Sequence, residues 1–217
     1  MTTFQPPRDW DDVYAKADGY FFGEEPSQLC RSAVRFFQAF GGNPAQSVAL
    51  DLGSGEGRDT AFLAAAGFQV VARDLAPTGL DKARALLERR GLPTERVDLT
   101  LGDVRDFDYS TDTYDLAMAA NVYQFLPPDE APDHVRRLQN ATKAGGLCAV
   151  GVFSPAMGAW GAAVGGFWTA SADELLAYFP EKAGWLPLDR TEYWTYSLKD
   201  QAMASFAYVV ARKQPAP

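Results

Sequence analysis

The chain has 217 residues, 47% of them hydrophobic, with 20 basic against 28 acidic residues and a formal charge of −8. A chain of this length and apolar content buries a core without disulfide or metal staples. Its negative balance repels phosphate backbones and anionic lipid, which argues against nucleic acid and membrane as partners.

The first stretch, to about Gly23, is dense in aromatics: Phe4, Trp10, Tyr14, Tyr20, Phe21 and Phe22. It begins without the basic-then-apolar pattern of a signal peptide. A helical pattern follows Ser27 and runs to Phe40, where Gly41-Gly42-Asn43-Pro44 stops it. Ser47 to Leu52 is a short apolar run bounded by glycine and reads as a buried strand. Then come a helix from Asp59 to Ala66, a strand from Phe68 to Ala72, and a helix from Pro77 to Arg90. Val97 to Leu101 and Tyr114 to Ala120 read as strands. The run from Asp129 to Lys143 reads as a helix closed by Gly145-Gly146, and Leu147 to Phe153 as a fifth strand.

Strands alternating with helices imply a parallel sheet covered on both faces. The last third changes character. The segment from Ser154 to Gly166 is rich in glycine and alanine and reads as a loop or lid. Ala172 to Phe179 is a short helix. Arg190 to Tyr196 and Ala204 to Arg212 form a hairpin across Ser197-Leu198-Lys199-Asp200. One domain accommodates all of it: residues 1–42 as a lid and helix, 43–153 as a binding core, and 154–217 as an acceptor-side segment with the hairpin. No uncharged run reaches membrane-spanning length. Cys30 and Cys148 carry neither metal-ligand spacing nor a disulfide framework, so no metal and a reducing cytoplasm are expected.

Chemistry concentrates at the ends of the strands. Asp51 lies in the strand that ends in Gly53-Ser54-Gly55-Glu56-Gly57, and a helix follows. Alternate glycines let the chain turn sharply and leave room for a ligand against the backbone. Glu56 and Asp59 flank this turn, which disfavours pyrophosphate and tolerates an ammonium group. Asp74, 21 positions after Gly53 and followed by Leu75, is placed to accept from both hydroxyls of a ribose. Asp103 is placed to accept from an adenine amine, with the Val104 N–H next to it for a ring nitrogen.

The glycine run, Asp74, Asp103 and the terminal hairpin together resemble the class I S-adenosylmethionine (SAM)-dependent methyltransferases over most of the chain. Within that class the closest likeness is to the tellurite-resistance-type, thiopurine methyltransferase-like branch. Its carrying residues are Tyr20-Phe21-Phe22-Gly23, the run from Leu50 to Asp59, Ala65 to Val70, and Phe206 to Lys213. The resemblance implies a doubly wound, Rossmann-like α/β fold. Its mostly parallel sheet has seven strands in the order 3-2-1-4-5-7-6 and ends in an antiparallel hairpin. SAM is the implied cofactor and a small molecule the implied methyl acceptor.

Arg58, one residue past the glycines, is placed to meet the methionine carboxylate. The fourth strand end lies where the family sets residues beside the sulfonium and acceptor. Asn121 is therefore expected to touch cofactor or acceptor and Tyr123 to line the pocket, under a lid of Trp10, Tyr14, Tyr20 and Phe22. Two departures stand out. Ser54 replaces a common cysteine, and Leu188 to Tyr193 lacks the His-Arg pair of the tellurite-type branch, so tellurite does not follow as acceptor. His134, in the polar run from Asp133 to Arg137, reads as a solvated helix face remote from the site. Three other readings stay open: an NAD(P)-binding oxidoreductase, a SAM-binding protein without turnover, and an aminopropyl transferase. The oligomeric state is not legible.

Overall fold

The computed structural model describes residues 9–157, 167–197 and 202–215. Phe4, most of the glycine-rich lid expected over 156–166 (Trp160 included), and the turn expected at 197–200 fall wholly or largely outside them.

Seven strands form one sheet: β1 (Val48–Leu52), β2 (Gln69–Asp74), β3 (Val97–Leu101), β4 (Tyr114–Ala120), β5 (Thr142–Phe153), β6 (Trp185–Ser197) and β7 (Ala202–Lys213). Their order is β3-β2-β1-β4-β5-β7-β6, as expected. The first five are mutually parallel. The pairing reverses at β7, which runs antiparallel to both β5 and β6. All five parallel strands therefore end on the same edge of the sheet, where ligands bind in open α/β folds.

The helices are α1 (Trp10–Lys16), α2 (Gln28–Ala39), α3 (Arg58–Ala66), α4 (Pro77–Arg89), α5 (Ala131–Ala141) and α6 (Ala172–Leu176). Alternate strand residues feed two cores. Leu50 and Leu52 join Val135, Leu138 and Phe179 on one face. Ala49, Val70 and Met118 join Leu29, Phe37 and Leu63 on the other. Each fully buried leucine contributes ~1.5–3 kcal/mol. Cys30 and Cys148 sit one in each core, both as free, fully buried thiols.

Two boundaries differ from the sequence pattern. Gly145-Gly146 does not close α5. The helix ends at Ala141 and β5 begins at Thr142, so the glycines lie inside the strand, near a register shift against β4. Gly145 takes a φ of 84° there. Glycine inside a strand marks an irregularity of this kind as readily as it ends a helix. The hairpin is also longer than its apolar alternation suggests, because β6 starts at Trp185 rather than Arg190.

The aromatic N-terminal stretch contains a helix that its sequence did not announce. Asp9 caps α1 by accepting from the Asp12 N–H at 3.2 Å. One side chain then clamps this segment to α4. The Lys82 ammonium donates to the carbonyls of Tyr14 and Gly19, each at 2.6 Å, and to Glu56 Oε1 at 2.9 Å. The opposite oxygen of Glu56 accepts the Phe21 N–H at 2.5 Å, and the Tyr20 hydroxyl donates to the Lys82 carbonyl at 3.0 Å.

The Glu56 side chain is 3% exposed, so it has no water to replace this partner. Lys82→Met keeps the aliphatic stem and strands the carboxylate. The expected cost is about 1–3 kcal/mol, read as a lower urea midpoint, with faster amide exchange across α1. An unchanged midpoint would show that the clamp carries no stability.

Candidate functional site

A cavity of about 530 Å³ opens at the carboxyl edge of the parallel strands, within the ~300–1,000 Å³ typical of small-molecule sites. It brings together Asp51, Gly53, Ser54, Gly55, Arg58, Asp74, Leu75, Asp103, Val104 and Asn121, the cofactor set read from the sequence. Trp10, Tyr14, Phe22, Phe125 and Phe167 complete its walls.

The turn after β1 is built by glycine and by Asp74. Gly53 has a φ of 69°, and a Cβ on it would stand 2.5 Å from the Val122 side chain, so the loops after β1 and β4 meet only because that side chain is missing. Asp74, 6% exposed, accepts the Gly55 N–H at 2.7 Å on one oxygen and the Ala76 N–H at 2.9 Å on the other. Burial pushes its pKa up, against those amides, which favour the charged form. A carboxylate has about four acceptor positions, more than these amides use, so Asp74 can still accept from a hydroxyl donor.

Asp103, half-buried at the end of β3, accepts the Arg105 N–H and pairs with its guanidinium at 2.6 Å. Arg105 holds its carboxyl below the usual range. Asn121 takes a φ of 58°, a left-handed conformation that asparagine tolerates better than most residues. Its N–H donates to the Gly151 carbonyl at 2.8 Å, which anchors the loop after β4 to β5. Arg58 donates to the Phe22 carbonyl at 3.1 Å, with its guanidinium 5.5 Å from that ring.

The two acids flanking the glycine turn have internal partners. The ammonium that Glu56 meets is this chain's own Lys82. Asp59 accepts both the N–H and the hydroxyl of Ser27, at 2.6 and 2.8 Å. Of the lid aromatics, Trp10 reaches Phe125 with ring centroids 4.9 Å apart, and Phe125 reaches Phe167 at 5.2 Å.

Three expectations are corrected. Tyr123 does not line the cavity. It is fully buried, and its hydroxyl lies 3.3 Å from that of Tyr109, because the short turn over Tyr123–Phe125 directs the ring into the core below. Tyr20 is not among the cavity walls, since its hydroxyl is turned to the Lys82 carbonyl. His134 is not on a solvated face. It is 5% exposed, with Nδ1 3.0 Å from the Tyr109 hydroxyl. Burial, then the charge of Arg137, pulls its pKa down. Adjacent charged residues masked an inward-facing position on an amphipathic helix. Lys82 was missed altogether, because a lysine on a polar helix face carries no signal of what it will clamp.

A family model described as "Methyltransferase domain" matches residues 49–146. Hemagglutinin 1 from Eikenella corrodens is 30% identical over 137 residues, which are 60% of this chain and 41% of that protein. The chain thus spans about two fifths of that relative's length.

Among solved structures, TehB from Haemophilus influenzae superposes with a TM-score of 0.68 at 18% identity, over 94% of this chain and 67% of that one. The 1,6-didemethyltoxoflavin-N1-methyltransferase of Burkholderia thailandensis, solved with 1,6-didemethyltoxoflavin and S-adenosylhomocysteine, gives 0.59 at 22% identity, over 87% and 79%. Residues 49–146 thus match a methyltransferase-domain family over a little under half of the chain. Around this segment, the chain has the Rossmann-like fold of these structures, terminal hairpin included. Among the described residues no helix is long and apolar enough to cross a membrane, and no cluster of histidine, cysteine and carboxylates is arranged to hold a metal.

Asp51, 1% exposed, accepts from the Thr60 hydroxyl at 2.7 Å, while burial and the nearby Asp59 carboxylate push its pKa up to about 7. The folded protein therefore holds this proton more tightly than the unfolded chain, whose aspartates titrate near ~3.9. The contribution of Asp51 to stability falls as pH rises between these two values. Asp51→Asn keeps an acceptor for Thr60 and removes the charge. Its stability relative to wild type should rise with pH between these two values. Paired urea titrations at pH 5 and pH 8 measure this, and an equal difference at both would refute it.

Proposed function

We propose that this chain transfers a methyl group from SAM to a small-molecule acceptor by direct in-line displacement. The observation that carries the reading is that Asp74 and Asp103, from the ends of β2 and β3, face one cavity together with the glycine turn after β1. Asp74 can still accept from a ribose hydroxyl. Asp103 and the Val104 N–H meet the adenine edge, beside the apolar side chains of Leu75 and Val104. Asp51 supports the turn from beneath through Thr60.

Ser54 Oγ is buried without a hydrogen-bond partner among the described residues, so it is available to a ligand. Ser54, Arg58 and Asn121 form the amino-acid end of the site. When bound, SAM supplies a methyl already activated by the sulfonium, so the protein's task is to align the acceptor and exclude water. Trp10, Phe22, Phe125 and Phe167 do the excluding, and aromatic faces attract a cation as well.

The rival dinucleotide reading asks the glycine turn to give free amide protons to a pyrophosphate. Here Gly53, Ser54, Gly55 and Gly57 all donate within the protein, and Asp51, Asp59 and Asp74 crowd the same wall. That arrangement favours a cationic ligand over a diphosphate.

For the acceptor, the Tyr20-Phe21-Phe22-Gly23 stretch and the shared fold with TehB support the neighbourhood of the tellurite-resistance-type branch. The segment 188–193 has no histidine for tellurite itself. A small nucleophile that ionises without help fits a cavity from which both His134 and Tyr123 are withdrawn. A reducing compartment such as the cytoplasm suits the two free thiols.

Calorimetry with SAM, S-adenosylhomocysteine and NAD tests the cofactor. Binding of the first two and not the third is expected, and NAD binding alone would sink the proposal. Asp74→Ala should weaken S-adenosylhomocysteine at least ~10-fold, from lost hydrogen bonds to an ionised group and a loosened turn. Turnover of SAM against a panel of thiols, selenite, tellurite and phenols then separates an enzyme from a binder.

A further inference from the structure

The glycine turn has little to offer an anion. The N–H groups of Gly53 and Ser54 donate to the Arg73 carbonyl at 2.8 and 3.2 Å, that of Gly55 to Asp74, and that of Gly57 to the Ser54 carbonyl at 3.0 Å. With those four amides engaged, a carboxylate entering this acidic cavity gains from a donor on a side chain.

Tyr14 is such a donor. It is 5% exposed, lines the cavity, and its hydroxyl makes no hydrogen bond to any described residue. That oxygen hangs directly over the turn, only 2.7 Å from where a Cβ on Gly55 would be. Burial, then the carboxylates of Asp74 and Glu56, push its pKa up, so the phenol keeps its proton and can only donate to an anion. Its position is set before any ligand arrives. Lys82 holds the Tyr14 carbonyl, the Thr78 N–H donates to Asp11 at 2.6 Å, and the ring lies 3.0 Å from where a Cβ on Gly79 would stand. A donor fixed in advance contributes more on binding than one that must first be ordered.

We infer that the Tyr14 hydroxyl donates a hydrogen bond to the carboxylate at the amino-acid end of the cofactor, and so discriminates for ligands that carry that group. The inference rests on the SAM reading above. The ribose is the weaker candidate for this donor, because its hydroxyls need acceptors and Asp74 provides them, whereas a carboxylate accepts only.

Two ligands separate the cases: S-adenosylhomocysteine, and 5′-methylthioadenosine, which keeps adenine and ribose but lacks the amino-acid end. Wild type should bind the first more tightly. Tyr14→Phe keeps the ring and removes an unpartnered hydroxyl, so its thermal midpoint should stay at the wild-type value. It should bind S-adenosylhomocysteine ~10- to 100-fold more weakly, the range for a hydrogen bond to a charged group, and 5′-methylthioadenosine unchanged.

Unaltered binding of both ligands by the variant would overturn the inference. So would an equal loss for both, which would place Tyr14 against the ribose or make it a wall. Equal affinity of wild type for the two ligands would also overturn it while leaving the cofactor reading intact. Binding of neither by wild type would defeat the cofactor reading itself.

Discussion

The buried carboxylate of Asp74 organises the carboxyl edge of the sheet. It stands at the end of β2 and accepts amide protons from two directions: Gly55 in the turn after β1, and Ala76 at the start of α4. Burying a charge is costly unless it is hydrogen-bonded, so the turn cannot move away without leaving this group exposed to that cost. Strand, turn and helix are thereby held as one unit. The lid inherits that rigidity, because Lys82 of α4 and Glu56 of the turn are among the groups that fasten it.

The same economy determines how the site can recognise a ligand. Once the turn's amides serve its own folding, what remains outward is a set of carboxylate lone pairs and a few hydroxyls. Carboxylates select hydroxyl and amine donors, which a nucleoside provides. They repel phosphates, so the fold's kinship with dinucleotide-binding sheets does not extend to their ligands. On the SAM reading, the amino-acid end would be read by side chains, Tyr14 of α1 among them. An element that frays readily alone, at seven residues, becomes precise through three backbone carbonyls gathered by one ammonium.

Much of this was legible in the residue order. The apolar runs from Val48 onward placed five of the seven strands to within two residues, while β5 and β6 each begin five residues earlier than their apolar pattern suggests. The acids at positions 51, 74 and 103 were legible because each ends or punctuates such a run. Failures came where a residue's direction depends on contacts distant in sequence. Tyr123 follows a strand end, like a site residue, yet a single short turn sends it into the core. His134 sits among charges and faces inward, where Tyr109 waits. Gly145-Gly146 resembles a helix stop and is a strand irregularity. Lys82 has no local signature at all, because every group it binds lies elsewhere in the chain.

The two cysteines described with the cores have a chemical meaning beyond packing. Thiolates are the softest nucleophiles a protein carries, and a sulfonium cofactor is an alkylating agent. Cys30 and Cys148 are sealed on opposite faces of the sheet, and burial drives both thiols toward the protonated form, Cys148 to about 12. Neither reaches the cavity wall. A protein that stores a reactive methyl group in this cavity is thus insulated from alkylating its own sulfhydryls. Both would become reactive only when the sheet opens, so thiol labelling would report unfolding rather than ligand exchange.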